Sequence, residues 1–245
     1  NIMEPTPTEN KLKLQAGGFA TLVEALEYAA RGDTGFNFYN SKGQLQDVLS
    51  YRQLKNKAQA IAGRFLNLGL ERGSRVALIA DTDTDFITYF FACQYAGMVP
   101  VPLPTPNSLG GRQAYEALLK RLMESCRASV AIASKQFSEY IVEAAKGLTM
   151  RFVGTPEMFS DLPQDQSGLN PSGPKDLAYI QFTSGSTRFP RGVMITHEAV
   201  LANLTAIIED GLNVRAGDRA VSWLPFYHDM GLVGLVLATM TAQIS

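Results

Sequence analysis

A loop rich in glycine and hydroxyl side chains, residues 183–192, constrains the fold of this chain more than any other feature. The apolar run at residues 177–182 comes directly before it and predicts a buried strand. A second β-prone run, residues 192–196, follows, and a helical pattern begins at His197. Because strand, loop and strand follow one another without a spacer, the order of residues favours a loop built on a sheet over a simple surface connection.

The composition of this loop suits the binding of a polyphosphate. Glycine allows a backbone to approach a ligand closely, and successive backbone N–H groups in such a turn form a concave anion site. Serine and threonine hydroxyls add donors, and arginine adds a fixed positive charge. A plain Ser/Gly-rich surface loop is the alternative that composition alone favours. The loop lacks the Gly-Lys-Ser/Thr ending of a Walker loop, and the chain contains no G-x-G-x-x-G.

Two stretches carry a resemblance to a known family. Residues 179–187 (YIQFTSGST) with 190–193 (PRGV) resemble the phosphate loop of the adenylate-forming superfamily, which includes acyl-CoA synthetases, luciferases and peptide-synthetase adenylation domains. Residues 223–232 (WLPFYHDMGL) match a second motif of that superfamily. Arg188 and Arg191 replace the glycine and lysine of most members. Arginine after Ser-Thr, together with His-Asp-Met-Gly-Leu, is similar to one branch, the fatty acyl-AMP ligases.

The resemblance, which covers the chain from about Phe19, implies roles for particular residues. The loop would close over the β- and γ-phosphates of ATP. His228 would lie at the adenylation site, where it donates a hydrogen bond to the α-phosphorus centre or gates the acyl channel with two aromatic neighbours. A packed or capping histidine is the alternative at this position. The implied nucleotide-binding residues are Thr183, Ser184, Gly185, Ser186, Thr187, Arg188 and Arg191, with His228 as the catalytic residue.

The second motif also implies a substrate site. Asp229 is expected to orient His228 or to cap the helix that follows. The apolar residues are expected to form one wall of an acyl tunnel, with room left beside Gly231 and Gly234; ordinary core packing is the alternative. The substrate residues are Trp223, Phe226, Tyr227, Asp229, Met230, Gly231 and Leu232. The wider apolar set adds Val233, Leu235, Val236 and Leu237.

Alternating patterns along the chain predict an α/β fold with layered, mostly parallel central sheets and flanking helices. Helices are predicted at residues 19–30, 51–68, 83–96, 113–126, 137–145, 198–210 and 229–240. Strands are predicted at residues 36–39, 45–49, 75–80, 99–104, 129–133, 151–153, 177–182, 192–196 and 219–224. Residues 156–174 are predicted to be a polar loop. Residues 1–18 are expected to be a poorly ordered tail, and residues 19–245 the first part of a large N-terminal adenylation domain.

Composition excludes several classes of function. The 245 residues carry a net charge of −1, and without a basic patch the chain lacks the electrostatic footprint of a nucleic-acid-binding protein. Two distant cysteines give neither a disulfide framework nor a zinc spacing. No signal peptide is visible, and the longest apolar run, within residues 232–240, is far short of a membrane span. These features predict a cytoplasmic protein.

The resemblance implies ATP-dependent activation of a fatty acid to acyl-adenylate, then acyl transfer to the phosphopantetheine of an acyl carrier protein. ATP and Mg²⁺ are the implied cofactors, with no metal ligand located in this chain. A fatty acyl-CoA synthetase and a non-catalytic nucleotide- or acyl-binding module are the alternatives. The family's metal-binding Glu, ribose-binding Asp and small C-terminal domain with its catalytic Lys are not found before Ser245. We therefore expect these 245 residues to be catalytically inert alone.

Overall fold

The computed structural model describes residues 12–106, 111–165, 167–183 and 190–245. It confirms the predicted α/β class. In the amino-terminal part, helix α1 is followed by a hairpin and a second helix. Their bounds are α1 Leu22–Ala29, β1 Gly35–Tyr39, β2 Leu45–Ser50 and α2 Tyr51–Asn67. Ser50 caps α2, because its side chain accepts from the Gln53 N–H while the Gln53 side chain accepts from the Ser50 N–H.

A four-stranded parallel sheet forms the centre of the fold. Its strands alternate with helices along the chain, and their order across the sheet is β4-β3-β5-β6 once numbered in sequence. The elements are β3 Arg75–Ile79, α3 Thr84–Ala96, β4 Val99–Leu103, α4 Gly111–Cys126, β5 Ala128–Ile132, α5 Ser138–Ala145, β6 Phe152–Gly154 and α6 Pro156–Ser160; a short 3₁₀ turn, Lys135–Phe137, precedes α5. Buried strands of this kind are apolar on both faces, and β4 is buried at every position.

Alternation along β3 divides the core into two layers. Val76 and Leu78 pack with α1, α2 and α3, whereas Ala77 and Ile79 pack with α4 and α5. Successive side chains of a strand point to opposite faces, so the sheet lies between two layers of helices. Phe159 of α6 completes the first layer, with ring centroids 4.6 Å from Phe65 and 5.5 Å from Tyr89.

The carboxyl-terminal part adds an antiparallel strand pair and a helical segment. The elements are β7 Leu177–Phe182, β8 Gly192–Thr196, α7 His197–Ala206, the π-helical segments Ile207–Gly211 and Met230–Leu237, and α8 Ala238–Thr241. Strand β7 lies against β4. His197, at the start of α7, is fully buried and accepts a hydrogen bond at Nδ1 from the Leu22 N–H at 3.0 Å. This bond joins α7 to the amino-terminal helix.

Three local predictions need correction. Residues 219–224 form no strand: they are exposed except Leu224, and the Ala220 N–H donates to the Ser245 carbonyl rather than to a strand of the described structure. An extended run needs a paired neighbour to satisfy its backbone, and no strand of the described residues lies beside it. Residues 156–174 contain the short helix α6. The predicted helices at residues 198–210 and 229–240 are partly π-helical.

The predicted tail is described only in part. Residues 12–18 have no regular secondary structure. They are nevertheless fixed, because the Gln15 N–H donates to the Gln243 side chain at 2.8 Å and Gln243 Nε2 donates back to the Gln15 carbonyl at 2.9 Å. The division into tail and domain stays a prediction.

Among the described residues, no helix combines the length and apolar character that a bilayer span requires.

Candidate functional site

The base of the predicted phosphate loop is a rigid strand pair. Phe182 lies opposite Gly192 in the β7–β8 ladder, and the Thr183 N–H donates to the Arg191 carbonyl at 3.0 Å. A Cβ on Gly192 would come 3.0 Å from Ile180 Cγ2, so glycine suits this close approach. Thr183 and Arg191 are both exposed. The predicted residues Ser184, Gly185, Ser186, Thr187 and Arg188 lie outside the described part of the chain.

The second motif forms a tight turn at residues 225–229, called here the histidine turn. The His228 N–H donates to the Pro225 carbonyl at 3.2 Å, and the Leu232 N–H donates to the His228 carbonyl at 2.8 Å. A Cβ on Gly231 would lie 2.2 Å from the Pro225 oxygen. The space beside Gly231 is therefore filled by backbone and is not the room for an acyl chain that the sequence suggested. Met230 Sδ similarly lies 3.1 Å from a Cβ placed on Gly234.

His228 and Asp229 form a hydrogen-bonded pair at the surface. Asp229 Oδ1 lies 2.7 Å from His228 Nδ1 and also accepts from the Met230 N–H at 2.7 Å. Asp229 therefore makes the contacts of both roles considered from the sequence: it holds the His228 ring and caps the following helical segment. Because Nδ1 faces the carboxylate, Nε2 is the ring nitrogen that can meet a ligand. The His228 side chain is 53% exposed, so it is not a packed core histidine.

The aromatic residues of the histidine turn anchor it to the core. Phe226 is buried and stacks on Phe86 of α3, with ring centroids 5.8 Å apart. The Tyr227 carbonyl accepts a hydrogen bond at 2.5 Å from Gln181 Nε2, which lies in β7. This bond brings the two predicted motifs together. Gln181 is not among the site residues predicted from the sequence, although its amide stands alone in an otherwise apolar strand beside the loop.

A cavity of about 670 Å³ lies beside the histidine turn. Its apolar lining comes from the hairpin strand β1, from α3, from the turn and from the last π-helical segment. Residues 219–222 and Thr239 contribute polar and exposed groups. The principal apolar lining residues are Phe36, Phe38, Ile87, Phe226, Leu235 and Val236.

The residues of the predicted apolar wall lie in different environments in the structure. Leu235 and Val236 line the cavity, whereas Leu232 and Leu237 are fully buried core residues, as the packing alternative expects. Trp223 is 90% exposed and does not line the cavity. Met230 is also exposed and does not line it. As a set, the predicted substrate residues stay a prediction.

Acidic residues gather at the carboxyl edge of the parallel sheet. Asp83 caps α3 by accepting from the Phe86 N–H at 2.8 Å, and burial, reinforced by Asp81 and Asp85, raises its pKa to about 6. Asp81 accepts from Ser134 at 2.9 Å and from Gln136. Within the described residues, no group of three or more His, Cys, Asp or Glu side chains is arranged to hold a metal ion. The described residues therefore present no assembled ligand set for Mg²⁺.

Comparison with known proteins gives the family. A family model described as AMP-binding enzyme matches residues 29–243. This range includes β7, β8, the loop between them and the histidine turn. The chain belongs to the AMP-binding enzyme family.

Three relatives show what members of this family the chain is similar to. A Caulobacter vibrioides protein, provisionally named an acyl-CoA synthetase, is 43% identical over 98% of this chain and 42% of its own length. The long-chain-fatty-acid–AMP ligase FadD32 of Mycolicibacterium smegmatis is 34% identical over 78% of this chain and 30% of its own. The medium-chain-fatty-acid–[acyl-carrier-protein] ligase JamA of Moorena producens is 32% identical over 89% of this chain and 38% of its own length.

A solved structure agrees with this placement. It comes from a study of fatty acyl-adenylate ligases from E. coli and L. pneumophila and is 47% identical, with a TM-score of 0.91. It matches 95% of this chain and 42% of its own chain. The chain thus spans less than half the length of the relatives and of this structure.

Proposed function

We propose that the protein activates a fatty acid with ATP and transfers the acyl group to the phosphopantetheine thiol of an acyl carrier protein. One observation carries the proposal: the strand that leads into the phosphate loop is hydrogen-bonded to the histidine turn, and an apolar cavity lies beside that turn. In this proposal, ATP and the fatty acid would bind side by side.

In the first step, a carboxylate oxygen of the fatty acid attacks the α-phosphorus of ATP. The bond between that phosphorus and the bridging oxygen breaks, and pyrophosphate leaves. The loop between Thr183 and Arg191 would hold the β- and γ-phosphates with backbone donors, hydroxyls and guanidinium groups, which offset the charge that builds on the leaving group. His228, when protonated and held by Asp229, would donate from Nε2 to an α-phosphate oxygen.

In the second step, a thiol sulfur attacks the acyl carbonyl carbon. The bond from that carbon to the phosphate oxygen breaks, AMP leaves, and the thiol proton is released. The names of FadD32 and JamA support fatty acids as the substrate class, and JamA supports a carrier protein as the acceptor. The apolar lining of the cavity supports an aliphatic chain rather than a polar acid.

A fatty acyl-CoA synthetase is the second candidate. The provisional name of the Caulobacter vibrioides relative favours it. The arginine at position 188 and the sequence Asp-Met-Gly-Leu after His228 resemble the carrier-linked branch and favour the first candidate.

The activation step is tested by fatty-acid-dependent exchange of labelled pyrophosphate into ATP, using the protein in its full natural length. We expect exchange with aliphatic acids, and absence of exchange with chains from short to long would reject the proposal. The acceptor is tested by offering CoA and holo carrier protein separately to the enzyme with a long-chain acid and ATP. Efficient acyl-CoA formation would move the assignment to the second candidate.

A further inference from the structure

Gln181 connects the two motifs of the site through a partly buried hydrogen bond. Its side chain is 6% exposed, and its Nε2 atom donates to the Tyr227 carbonyl at 2.5 Å. Gln181 lies two residues before Thr183, where the loop begins, and Tyr227 directly precedes His228. A carbonyl oxygen accepts but does not donate, so the Gln181 amide must present its NH₂ group to Tyr227. The orientation of the side chain is therefore fixed.

The donor of this bond belongs to a paired strand, whereas its acceptor belongs to a surface turn. Gln181 pairs with Val193 in the β7–β8 ladder, and Tyr179, on the same face of β7, packs against Phe90 with centroids 5.9 Å apart. His228 and Asp229 of the histidine turn are exposed. The stacking of Phe226 on Phe86 ties the turn to the core, and in the described part of the chain the Gln181 hydrogen bond ties it to the strand that leads into the loop.

We propose that Gln181 is a positioning residue for adenylation, which holds the histidine turn against strand β7 at the point where that strand leads into the phosphate loop. His228 would then meet the α-phosphate while the loop holds the β- and γ-phosphates. This inference rests on the proposed function of the site. Loss of the bond leaves both motifs intact but lets their separation vary, and a misplacement of about 1 Å costs on the order of 100-fold in rate.

The chain contains a matched control, Gln94. This glutamine of α3 is also fully buried, and its Nε2 donates to the Ala178 carbonyl of the same strand β7 at 2.6 Å. In the described structure, the Oε1 atoms of both glutamines are buried without a hydrogen-bond partner. The two glutamines therefore share side-chain chemistry and burial, and both hydrogen bonds involve strand β7, but the Gln94 bond does not involve the histidine turn.

The experiment compares Gln181→Met with Gln94→Met, because methionine keeps a similar length and removes the donor. Pyrophosphate exchange is measured on the full-length protein, and amide hydrogen exchange is followed at residues 226–229. For Gln181→Met we expect kcat to fall by about 10- to 100-fold with a smaller change in KM for ATP, and faster amide exchange in the turn. For Gln94→Met we expect lower thermal stability, with kcat and turn exchange unchanged at temperatures where the protein stays folded.

The variant Gln181→Glu adds a readout that a purely structural role would not change. An ionised carboxylate cannot donate to Tyr227, but a protonated carboxyl group can. Burial and the facing carbonyl raise the pKa of the introduced group. Exchange activity of Gln181→Glu, relative to the unaltered protein, should therefore increase as the pH falls, whereas the relative activity of Gln181→Met should not depend on pH.

Two results would overturn the inference. One is a Gln181→Met variant whose kcat and turn exchange match those of the unaltered protein; the other is an equal loss of kcat in the Gln94→Met control. If the unaltered protein catalyses no exchange with any fatty acid, the proposed function fails instead. Hydrogen exchange then still decides whether Gln181 fixes the turn, and unchanged protection at residues 226–229 rejects it.

Discussion

The parallel sheet at residues 75–154 and the site region at residues 177–245 are built in different ways. Strands β3 and β4 are buried along nearly their whole length and packed by helices on both faces. In the site region, β8 is exposed at its first three positions, and residues 219–223 are exposed throughout. The histidine turn is held by a few separate contacts, chiefly Phe226 on Phe86 and the Gln181 bond.

The difference separates stability from function. Regions with many buried apolar contacts open only with global unfolding, whereas exposed segments with few contacts open at lower cost. Core substitutions in the sheet region should therefore lower the stability of the whole fold. Substitutions of ligand-contacting residues on the exposed segments of the site should instead change binding or rate while the fold persists.

The largest expected effect is a loss of stability from Phe159→Ala. The Phe159 ring is fully buried and lies 4.6–5.5 Å from the rings of Phe65, Phe152 and Tyr89. Truncating a buried phenylalanine costs about 3–5 kcal/mol. Urea denaturation should show this loss, while kcat of the folded fraction should not change. A kcat that falls more than the folded fraction does would break the proposed separation.

The next effect is on rate rather than on stability, from Thr187→Ala combined with Arg188→Ala. Removing preorganised donors to a leaving group costs about 2–4 kcal/mol of transition-state stabilisation. The free energy of unfolding should change by less than about 0.5 kcal/mol if these residues serve phosphate alone. The ratio kcat/KM for ATP measures the first quantity, and denaturation measures the second. An unchanged kcat/KM would show that the loop is structural.

A third prediction concerns the pH dependence of folding stability, to which His197 of the site region and Asp83 of the sheet region contribute in opposite directions. Burial lowers the pKa of His197 to about 4 from 6.5, opposed by Asp176. The unfolded chain therefore binds more protons between these values, so stability is lost as the pH falls from 6.5 to 4. The loss approaches about 3 kcal/mol at 1.36 kcal/mol per unit. Asp83, whose pKa is raised from 3.8 to about 6, acts in the opposite direction, because its contribution is lost as the pH rises through that window.

Two variants separate the contributions of His197 and Asp83 to the pH dependence of stability. Asp83→Asn should steepen the loss of stability on acidification, because it removes the opposing carboxyl group. His197→Asn keeps an acceptor for the Leu22 N–H and should abolish the histidine contribution. Denaturation at several pH values between 4 and 7 measures both. A His197→Asn protein with the pH slope of the unaltered protein would contradict the assignment.

The sequence predicts the sheet region well because local pattern and final environment agree there. The apolar runs of β3 and β5 and the cap at Ser50 each depend on neighbours close in sequence. The site region is less predictable because its geometry depends on distant partners. Residues 219–224 have a strand pattern but no strand beside them among the described residues, and Gly231 is needed because of the Pro225 carbonyl.

Dependence on a distant partner also explains why the role of Gln181 could not be predicted from the sequence. Its importance comes from Tyr227, 46 positions away, and no local pattern reports that contact. The motifs containing Thr183 and His228 could be found by resemblance, but the hydrogen bond that joins them is visible only in the three-dimensional structure. Sequence therefore predicted the parts of the site better than their arrangement.

The smallest expected effect comes from Trp223→Ala, and it sharpens the distinction between exposed and functional residues within the site region. Trp223 is 90% exposed and lies outside the apolar cavity, so its removal should change the free energy of unfolding by less than about 0.5 kcal/mol. KM for the fatty acid should also stay unchanged. Val236→Phe is the matched contrast. Val236 lines the cavity, and the larger phenylalanine side chain there should raise KM for long-chain fatty acids more than for short-chain ones. If Trp223→Ala raised KM for long chains as Val236→Phe does, the tryptophan would belong to the acyl site, and the wall predicted from the sequence would be correct at that position.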